Sequence, residues 1–315
     1  MKILKPKFWD EEKLNFYALI LLPVSFVLQI LIIIKNFFIK VKIAQIPVVC
    51  VGNIYLGGTG KTPTSIQLSL ILKKLGKKSV IIKKNFTNQA DEKMLIMKKL
   101  NNIISIKNRF MGTEQAVKKG FDLVILDDGL QDKTLFKNLN IVCFNEKQLS
   151  GNGLTLPSGP LREPLKSLKK YQIVIINSKK DKRLNKFEKI IKKISREISI
   201  YYSTYIPDPI KIKKFKNKKV LAFAGIGNPK NFFDLLYEQK VNVIKKISYP
   251  DHYNFSKREI EQLIILAKNE GLKIITTEKD FYRIKKFKLK QIDYLPISLK
   301  IHSEDLFIKE VKKYL

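Results

Sequence analysis

Arginine is scarce in this lysine-rich chain, and its shortage argues against one class of partner. Only six of the 61 basic residues are arginine, and no arginine stretch interleaved with aromatic residues is present. We therefore expect no nucleic-acid partner, although the formal net charge is +33. Because lysine is enriched together with isoleucine and asparagine, we interpret the charge as compositional bias and as attraction to acidic lipids or phosphorylated substrates.

Cysteine is also rare, and the two present, Cys50 and Cys143, each lie inside an apolar run. Two thiols far apart in the sequence argue against a disulfide framework and indicate a reducing compartment. We predict that both are small buried residues of strands.

Charge is absent from residues 14–34, which as a helix would cover roughly 30 Å of hydrocarbon. The run is too long for a signal-peptide core, and no small-residue cleavage site follows it. Lysines flank it on both sides, so the positive-inside rule selects no orientation. With Pro23 inside it, the run suits a spanning helix or a kinked segment that enters one leaflet; a buried core helix is the soluble alternative.

Beyond residue 45, short apolar β-branched runs alternate with stretches of helical period such as 62–75 and 112–120. This alternation is typical of a parallel sheet covered by helices on both faces. The predicted strands are IPVVCV, KSVIIK, NIISI, FDLVIL, NIVCF and YQIVII.

A lysine-rich connector at 207–219 precedes a second set of strand-like runs, VLAFAG, VNVIKKI, LKIITT and DYLPISL. We therefore place a domain boundary near residue 210. The predicted organisation is a membrane-associated helix in residues 1–43, an α/β core domain in 44–210 and a smaller C-terminal α/β domain in 211–315.

The segment GNIYLGGTGKTP, residues 52–63, is similar to a phosphate-binding loop but lacks one glycine. The pattern G-x-x-x-x-G-K-[ST] requires glycine where this chain has Tyr55. The physical requirements are still met, because a strand leads into a glycine-rich turn and a helix follows with Pro63 in its first turn. We predict a P-loop NTPase-like site; a glycine-rich turn without ligand is the alternative. Its nucleotide-binding residues would be Gly57, Gly58, Thr59, Gly60, Lys61 and Thr62.

Asp127 and Asp128 directly follow the predicted strand FDLVIL. Carboxylates at strand ends of an open α/β sheet lie at the edge where ligands bind, so these two are candidates for holding the metal of a bound nucleotide. Taken alone, a DDG sequence after a strand is more typical of a turn.

Seven motifs occur in order along most of the chain: VGNIYLGGTGKTP, ADE at 90–92, DDGLQ at 127–131, LPSGPLREP at 156–164, FAGIGNPKNFF at 223–233, PDHY at 250–253 and TTEKDFYR at 276–283. This series resembles the tetraacyldisaccharide 4′-kinase family. The resemblance implies a kinase at the cytoplasmic face of the bacterial inner membrane. It would use ATP and Mg²⁺ to phosphorylate the 4′ hydroxyl of a tetraacyldisaccharide 1-phosphate lipid, a precursor of lipid A.

The resemblance also implies roles for individual residues. Lys61 and Thr62 match the phosphate-loop pair, and Arg109 and Arg162 match arginines that would neutralise the transferring charge, with a surface salt bridge as the alternative. The implied metal ligands are Thr62, Asp127, Asp128, Gln131 and Glu163.

The family's catalytic pair matches Asp91 and His252. The Asp91 carboxylate would accept the proton of the attacking sugar hydroxyl, and the imidazole would orient it. We expect the two residues to come from different domains and to meet on closure. Without the resemblance, Asp91 would be interpreted as a helix-start residue and His252 as a turn residue.

Several positions depart from the family pattern. Lys84-Asn85-Phe86 stands where the family has an arginine-glycine-tyrosine turn, Lys93 where it has proline, and Asp132 where it has histidine. These differences concern predicted substrate contacts and turnover, and they leave the predicted phosphate and metal sites intact.

Two other function classes stay open from the residues alone. A P-loop ATPase or GTPase would hydrolyse nucleotide to switch a partner, although no N-K-x-D guanine-reading sequence is present. A basic scaffold that binds membrane or nucleic acid without catalysis would explain the charge but leave Asp91, Asp127 and Asp128 without a role.

Two further motifs have structural interpretations. We interpret FAGIGNP as a helix cap and TTEKD as a helix start, with Lys279 and Arg283 as candidate phosphate contacts. A monomer is favoured over an oligomer.

Overall fold

The computed structural model describes residues 5–11, 15–85, 90–251 and 253–315. The chain forms two compact units. The first comprises Met1–Asn85, Asn102–Thr204 and Lys300–Leu315, and the second comprises Phe86–Asn101 and Tyr205–Leu299.

Strands and α-helices alternate along most of the chain. The strands are β1 (Val48–Gly52), β2 (Ser79–Lys84), β3 (Ile103–Ile106), β4 (Leu123–Asp127), β5 (Leu139–Asn145), β6 (Ile173–Asn177), β7 (Ser199–Pro207), β8 (Lys219–Ala224), β9 (Asn242–Ser248), β10 (Lys273–Thr277), β11 (Ile292–Leu295) and β12 (Ile297–Ile301). The helices are α1 (Phe16–Phe37), α2 (Lys61–Lys74), α3 (Ala90–Leu100), α4 (Arg109–Lys118), α5 (Asn185–Ile194), α6 (Pro209–Phe215), α7 (Pro229–Glu238), α8 (Lys257–Asn269), α9 (Glu278–Ile284) and α10 (Glu304–Lys312).

The two sheets confirm the predicted α/β class. The larger has the order β12-β7-β6-β5-β1-β4-β2-β3, and all its pairings from β3 to β7 are parallel. The smaller has the order β11-β10-β8-β9 and is parallel throughout. The central strands β1 and β4 are buried along their whole length, as expected for a sheet with both faces covered.

Three sequence-based expectations differ from the structure. The run DYLPISL forms two strands in different sheets, because Pro296 lacks the N–H that a continuous ladder needs. The supposed connector contains helix α6, which Asp208 caps by accepting hydrogen bonds from the Ile210 and Lys211 amides. Strand β7 was not predicted.

The compact units do not coincide with the ranges 44–210 and 211–315. Residues 86–101 group with the second unit and 300–315 with the first. Asp91 therefore belongs to the same unit as residues 205–299, contrary to the expectation that it would come from the first. The domain boundaries themselves stay predictions, because compactness does not test independent folding.

Helix α1 is long and apolar enough to cross a membrane, by length and composition. It packs on the first unit along a narrow stripe in which Ala18 and Ser25 are buried, while most of its large apolar side chains are exposed. The Ser25 hydroxyl donates to the Thr155 carbonyl at 3.0 Å and accepts the Ser158 amide at 3.0 Å. The helix is thus attached to the protein in its first half and leaves a broad apolar surface uncovered.

Candidate functional site

The glycine-rich loop leads from buried strand β1 into helix α2. Gly57 and Gly60 have φ values of 136° and 88°, a region that favours glycine, and helix α2 begins directly at Lys61. The first amides of a helix have no intrahelical acceptor, so this helix start can receive a phosphate. The predicted strand, turn and helix are therefore all present.

Two asparagines that the sequence analysis did not single out hold the loop in shape. The Asn53 side-chain amide donates to the carbonyls of Tyr55 at 2.5 Å and Gly57 at 3.1 Å. The Asn177 side-chain amide donates to the Thr59 carbonyl. Each asparagine lies at the end of an apolar strand, a position that could have marked it in the sequence.

Tyr55, which replaces the customary glycine, is compatible with the loop. Its backbone does not have the positive φ that would require glycine. Its side chain is completely buried, and its hydroxyl donates to Asp10 Oδ1 at 2.5 Å. Position 55 thus links the phosphate loop to the segment that precedes helix α1.

Asp127, at the end of β4, is the centre of a buried polar group. It accepts hydrogen bonds from the Thr62 hydroxyl at 2.9 Å and the Ser65 hydroxyl at 3.2 Å. Lys83 Nζ lies 2.7 Å from Asp127 Oδ2. The Thr62 contact brings together two residues predicted from separate motifs. Lys83 and Ser65 were missed; a lysine within the apolar run SVIIKK was the available signal.

Asp128 lies between two predicted cations. Its Oδ1 accepts from Arg162 at 3.0 Å, and its Oδ2 lies 3.7 Å from Lys61 Nζ. Its φ of 59° is left-handed, a conformation that aspartate tolerates better than most residues. Arg109 donates to the Asp128 carbonyl at 2.7 Å and so stabilises this turn.

Arg109 also pairs with Asp132, one of the positions that depart from the family pattern. The guanidinium is buried, and its NH1 lies 2.8 Å from Asp132 Oδ2. Burial acts to raise the pKa of Asp132, but hydrogen bonds from Thr134 and Arg109 outweigh it and hold the pKa below the ordinary value of 3.8. Arg109 is therefore occupied in shaping the loop, and its predicted contact with phosphate stays a prediction.

Gln131 and Glu163 contact each other, as the shared metal-site prediction requires. Gln131 Nε2 donates to Glu163 Oε1 at 3.0 Å and to the Asn53 carbonyl at 3.1 Å. The Tyr171 hydroxyl donates to Glu163 Oε2 at 2.9 Å. Burial, and to a smaller extent the negative charge of Glu163, raise the pKa of Tyr171 above its ordinary value. Their role as metal ligands stays a prediction.

The oxygen atoms of Thr62, Asp127 and Asp128 beside the glycine-rich loop are suitable ligands for Mg²⁺ bound with a nucleotide. The described part of the chain holds no cluster of three or more His, Cys, Asp or Glu side chains suited to a metal. Mg²⁺ typically takes one or two protein oxygens together with phosphates and water, so such a cluster is not needed. Within the same described residues, Thr59 Oγ1 and Asn53 Oδ1 are buried without a hydrogen-bond partner, which leaves polar atoms for a ligand.

Asp91 lies in the second unit, in the first turn of α3. It is almost completely buried, and Arg283 NH2 donates to its Oδ2 at 2.5 Å. Its predicted partner His252 lies outside the described residues, as does Phe86 of the altered turn.

Comparison with known proteins identifies the family. The family model described as Tetraacyldisaccharide-1-P 4'-kinase matches residues 17–315. The chain belongs to this family. It is 42% identical over 306 residues, 96% of each protein, to the tetraacyldisaccharide 4'-kinase of Pelagibacter ubique (strain HTCC1062). It is 31% identical over 308 residues, 90% of each protein, to the enzyme of the same name from Rickettsia bellii (strain OSU 85-389).

A solved structure shares the fold. LpxK from Aquifex aeolicus, crystallised in complex with ATP, superposes with a TM-score of 0.71 at 24% identity and covers 94% of this chain and 99% of its own. The predicted family and kinase class are therefore confirmed, together with the fold. The assignment of individual site residues is not tested by these similarities.

Proposed function

We propose that this protein transfers the γ-phosphate of ATP to the 4′ hydroxyl of a tetraacyldisaccharide 1-phosphate lipid. The observation that carries the proposal is the 2.9 Å hydrogen bond from Thr62 to Asp127 beneath a glycine-rich loop, in a member of this kinase family. By donating its proton to Asp127, the Thr62 hydroxyl keeps its lone pairs for a cation. Bound Mg²⁺ would neutralise charge on the β and γ phosphates.

Lys61 and Arg162 are two cations beside the start of helix α2 that share one carboxylate. Both contact Asp128, at 3.7 Å and 3.0 Å respectively. A phosphate at the start of α2 would compete with this carboxylate for the two cations. In the proposal, Lys61 turns to the β and γ phosphates, and Arg162 stays with Asp128 to hold the turn in place.

We assign the role of general base to Asp91. A sugar hydroxyl must lose its proton as it attacks phosphorus, and a positioned carboxylate can accept it. Burial of Asp91 and its fixed contact with Arg283 support a held orientation. His252 as its orienting partner stays a prediction.

Helix α1 is proposed to hold the enzyme at the cytoplasmic face of the inner membrane, with its apolar surface in one leaflet. Ser25 lies nine residues after the helix start, or about 14 Å along the axis. Because Ser25 bonds to Thr155 and Ser158 of the protein body, a full span would draw those polar groups towards the bilayer core. Insertion into one leaflet avoids that cost and keeps lipid substrate near the nucleotide.

The test is transfer of label from γ-labelled ATP to the purified lipid acceptor in mixed micelles. We expect label in lipid for the unaltered enzyme and a loss of at least ~100-fold for Lys61→Ala. Lys73→Ala, an exposed lysine of the same helix, is the matched control and should transfer normally. Label released only as free phosphate would indicate an ATPase instead, and no use of ATP at all would contradict the proposal.

A further inference from the structure

The motif TTEKDFYR, residues 276–283, forms a polar network in the second unit. Thr277 caps helix α9: its hydroxyl accepts the Asp280 amide at 3.1 Å and donates to Asp280 Oδ2 at 2.7 Å. The predicted helix start is thus present. The cap also fixes the Asp280 side chain.

Asp280 is fully buried and accepts a hydrogen bond from the Gly225 amide at 2.9 Å, just after strand β8. Burial raises the pKa of Asp280 above its ordinary value of 3.8, against the opposing effect of Arg283. The carboxylate is therefore held by backbone and side-chain donors from two elements.

Arg283 connects this network to Asp91. Its NH1 donates to Asp280 Oδ1 at 2.7 Å and to the Gly225 carbonyl at 2.6 Å. Its NH2 donates to Asp91 Oδ2 at 2.5 Å. Since the guanidinium is planar, two contacts on NH1 determine the direction in which NH2 points.

We propose that Arg283 is a positioning residue that holds the Asp91 carboxylate in the orientation needed to accept the sugar proton. This inference rests on the proposed function, in which Asp91 is the base. Asp91 lies in the first turn of α3 and Arg283 in the last turn of α9, so this contact ties the base to an element far away in sequence. In this role the fixed direction of the guanidinium N–H group orients the Asp91 carboxylate, and the positive charge alone would not.

A lysine at position 283 would keep the charge but lose the planar fork. A misplacement of about 1 Å in such a site can cost roughly 100-fold in rate. We therefore expect Arg283→Lys and Arg283→Ala both to lower kcat by about 100-fold, with the affinity for ATP unchanged. Arg258→Ala, an exposed arginine of α8, is the matched control and should keep the unaltered kcat.

Two measurements separate positioning from a general structural role. Guanidinium ion added to Arg283→Ala should restore part of kcat, whereas ammonium ion should not. In a double-mutant cycle with Asp91→Asn, loss of Arg283 should cause no further drop in kcat, because it acts through Asp91. Circular dichroism and thermal melts identify any variant that fails to fold. If Arg283→Ala does not fold, the kcat of Arg283→Lys decides the question.

The outcomes distinguish this inference from the proposed function. Full kcat for Arg283→Lys, together with an inactive Asp91→Asn, would overturn the positioning role alone. A further drop for Arg283→Ala in the Asp91→Asn background would also overturn it. Normal lipid labelling by Asp91→Asn would instead remove Asp91 as the base, and with it the proposed mechanism.

Discussion

Lys83 and Asp127 form an ion pair inside the larger sheet, with Nζ 2.7 Å from Oδ2 and both side chains buried. They are register partners on the adjacent parallel strands β2 and β4. A buried carboxylate at a predicted metal site is thus supported by a neighbouring ammonium as well as by hydroxyl groups.

Lys83→Met should destabilise the protein by about 3–5 kcal/mol, because it leaves Asp127 buried without its cation. Chemical denaturation monitored by circular dichroism measures the change in the free energy of unfolding. Lys77→Met, at an exposed position before β2, is the control and should change stability by less than about 0.5 kcal/mol. Equal stabilities for the two variants would contradict a significant ion pair.

Asp132→Asn should make the free energy of unfolding depend less on pH at acid pH. Because the folded-state pKa of Asp132 lies below 3.8, its ionised form stabilises the fold above pH 3.8, and this contribution is lost as the pH falls through the folded pKa. The free energy of unfolding between pH 6 and the acid limit should therefore fall less for the variant. Parallel pH profiles would contradict a lowered pKa of Asp132 in the folded protein.

The two native thiols should resist labelling in the folded protein. Burial raises the pKa of Cys50 to about 11 and that of Cys143 to about 12, so little thiolate is present near neutral pH. We expect no rapid modification by a thiol-specific reagent until denaturant is added, when both should react. Rapid reaction of either thiol in native protein would show that its strand is not buried as described.

Substitutions on the two faces of helix α1 should have different effects, one on the stability of the fold and the other on binding to membranes. Ser25→Ala removes the acceptor of the buried Ser158 amide and should cost about 1–3 kcal/mol, with vesicle binding retained. Ile33→Ser, on the exposed surface, should do the reverse and weaken binding to vesicles. Vesicle flotation and thermal melts on both variants test this; weakened flotation for Ser25→Ala alone would contradict it.

Tyr55→Phe should loosen the segment before α1 while leaving the loop backbone intact. It removes only the hydroxyl that donates to Asp10, a loss of about 1–3 kcal/mol for a bond to a charged acceptor. Hydrogen exchange of residues 5–11 should rise. Tyr17→Phe, at a largely exposed tyrosine, serves as the control and should leave that exchange unchanged.

Local sequence patterns were sufficient for the sheet and for the phosphate loop. Apolar β-branched runs predicted the central strands, and the spacing of Gly57, Gly60 and Lys61 predicted the loop, because both depend on neighbours in sequence. Strand β7 was missed since SIYYSTYIP mixes polar and apolar residues without clear alternation. The break at Pro296 was missed because one apolar run covers both strands.

Long-range pairings could not be predicted in the same way. Lys83 meets Asp127 only through strand pairing, and Arg283 meets Asp91 across 192 positions. Asp91 was assigned to the first domain because of its place in the sequence, whereas helix α3 groups with residues 205–299. Which elements share a unit is decided by tertiary packing, which no single motif encodes.

The bond between Tyr55 and Asp10 bears on how a water-soluble form of this enzyme could be made. Deleting residues 1–37 would also remove Asp10, the acidic acceptor for the Tyr55 hydroxyl in the glycine-rich loop, and Trp9, whose indole donates to the Pro157 carbonyl at 3.0 Å. A shortened protein would therefore leave the Tyr55 hydroxyl without this acceptor, beside the predicted phosphate loop. Replacing outward-facing apolar residues of the helix, while retaining residues 5–11, is the safer route to solubility.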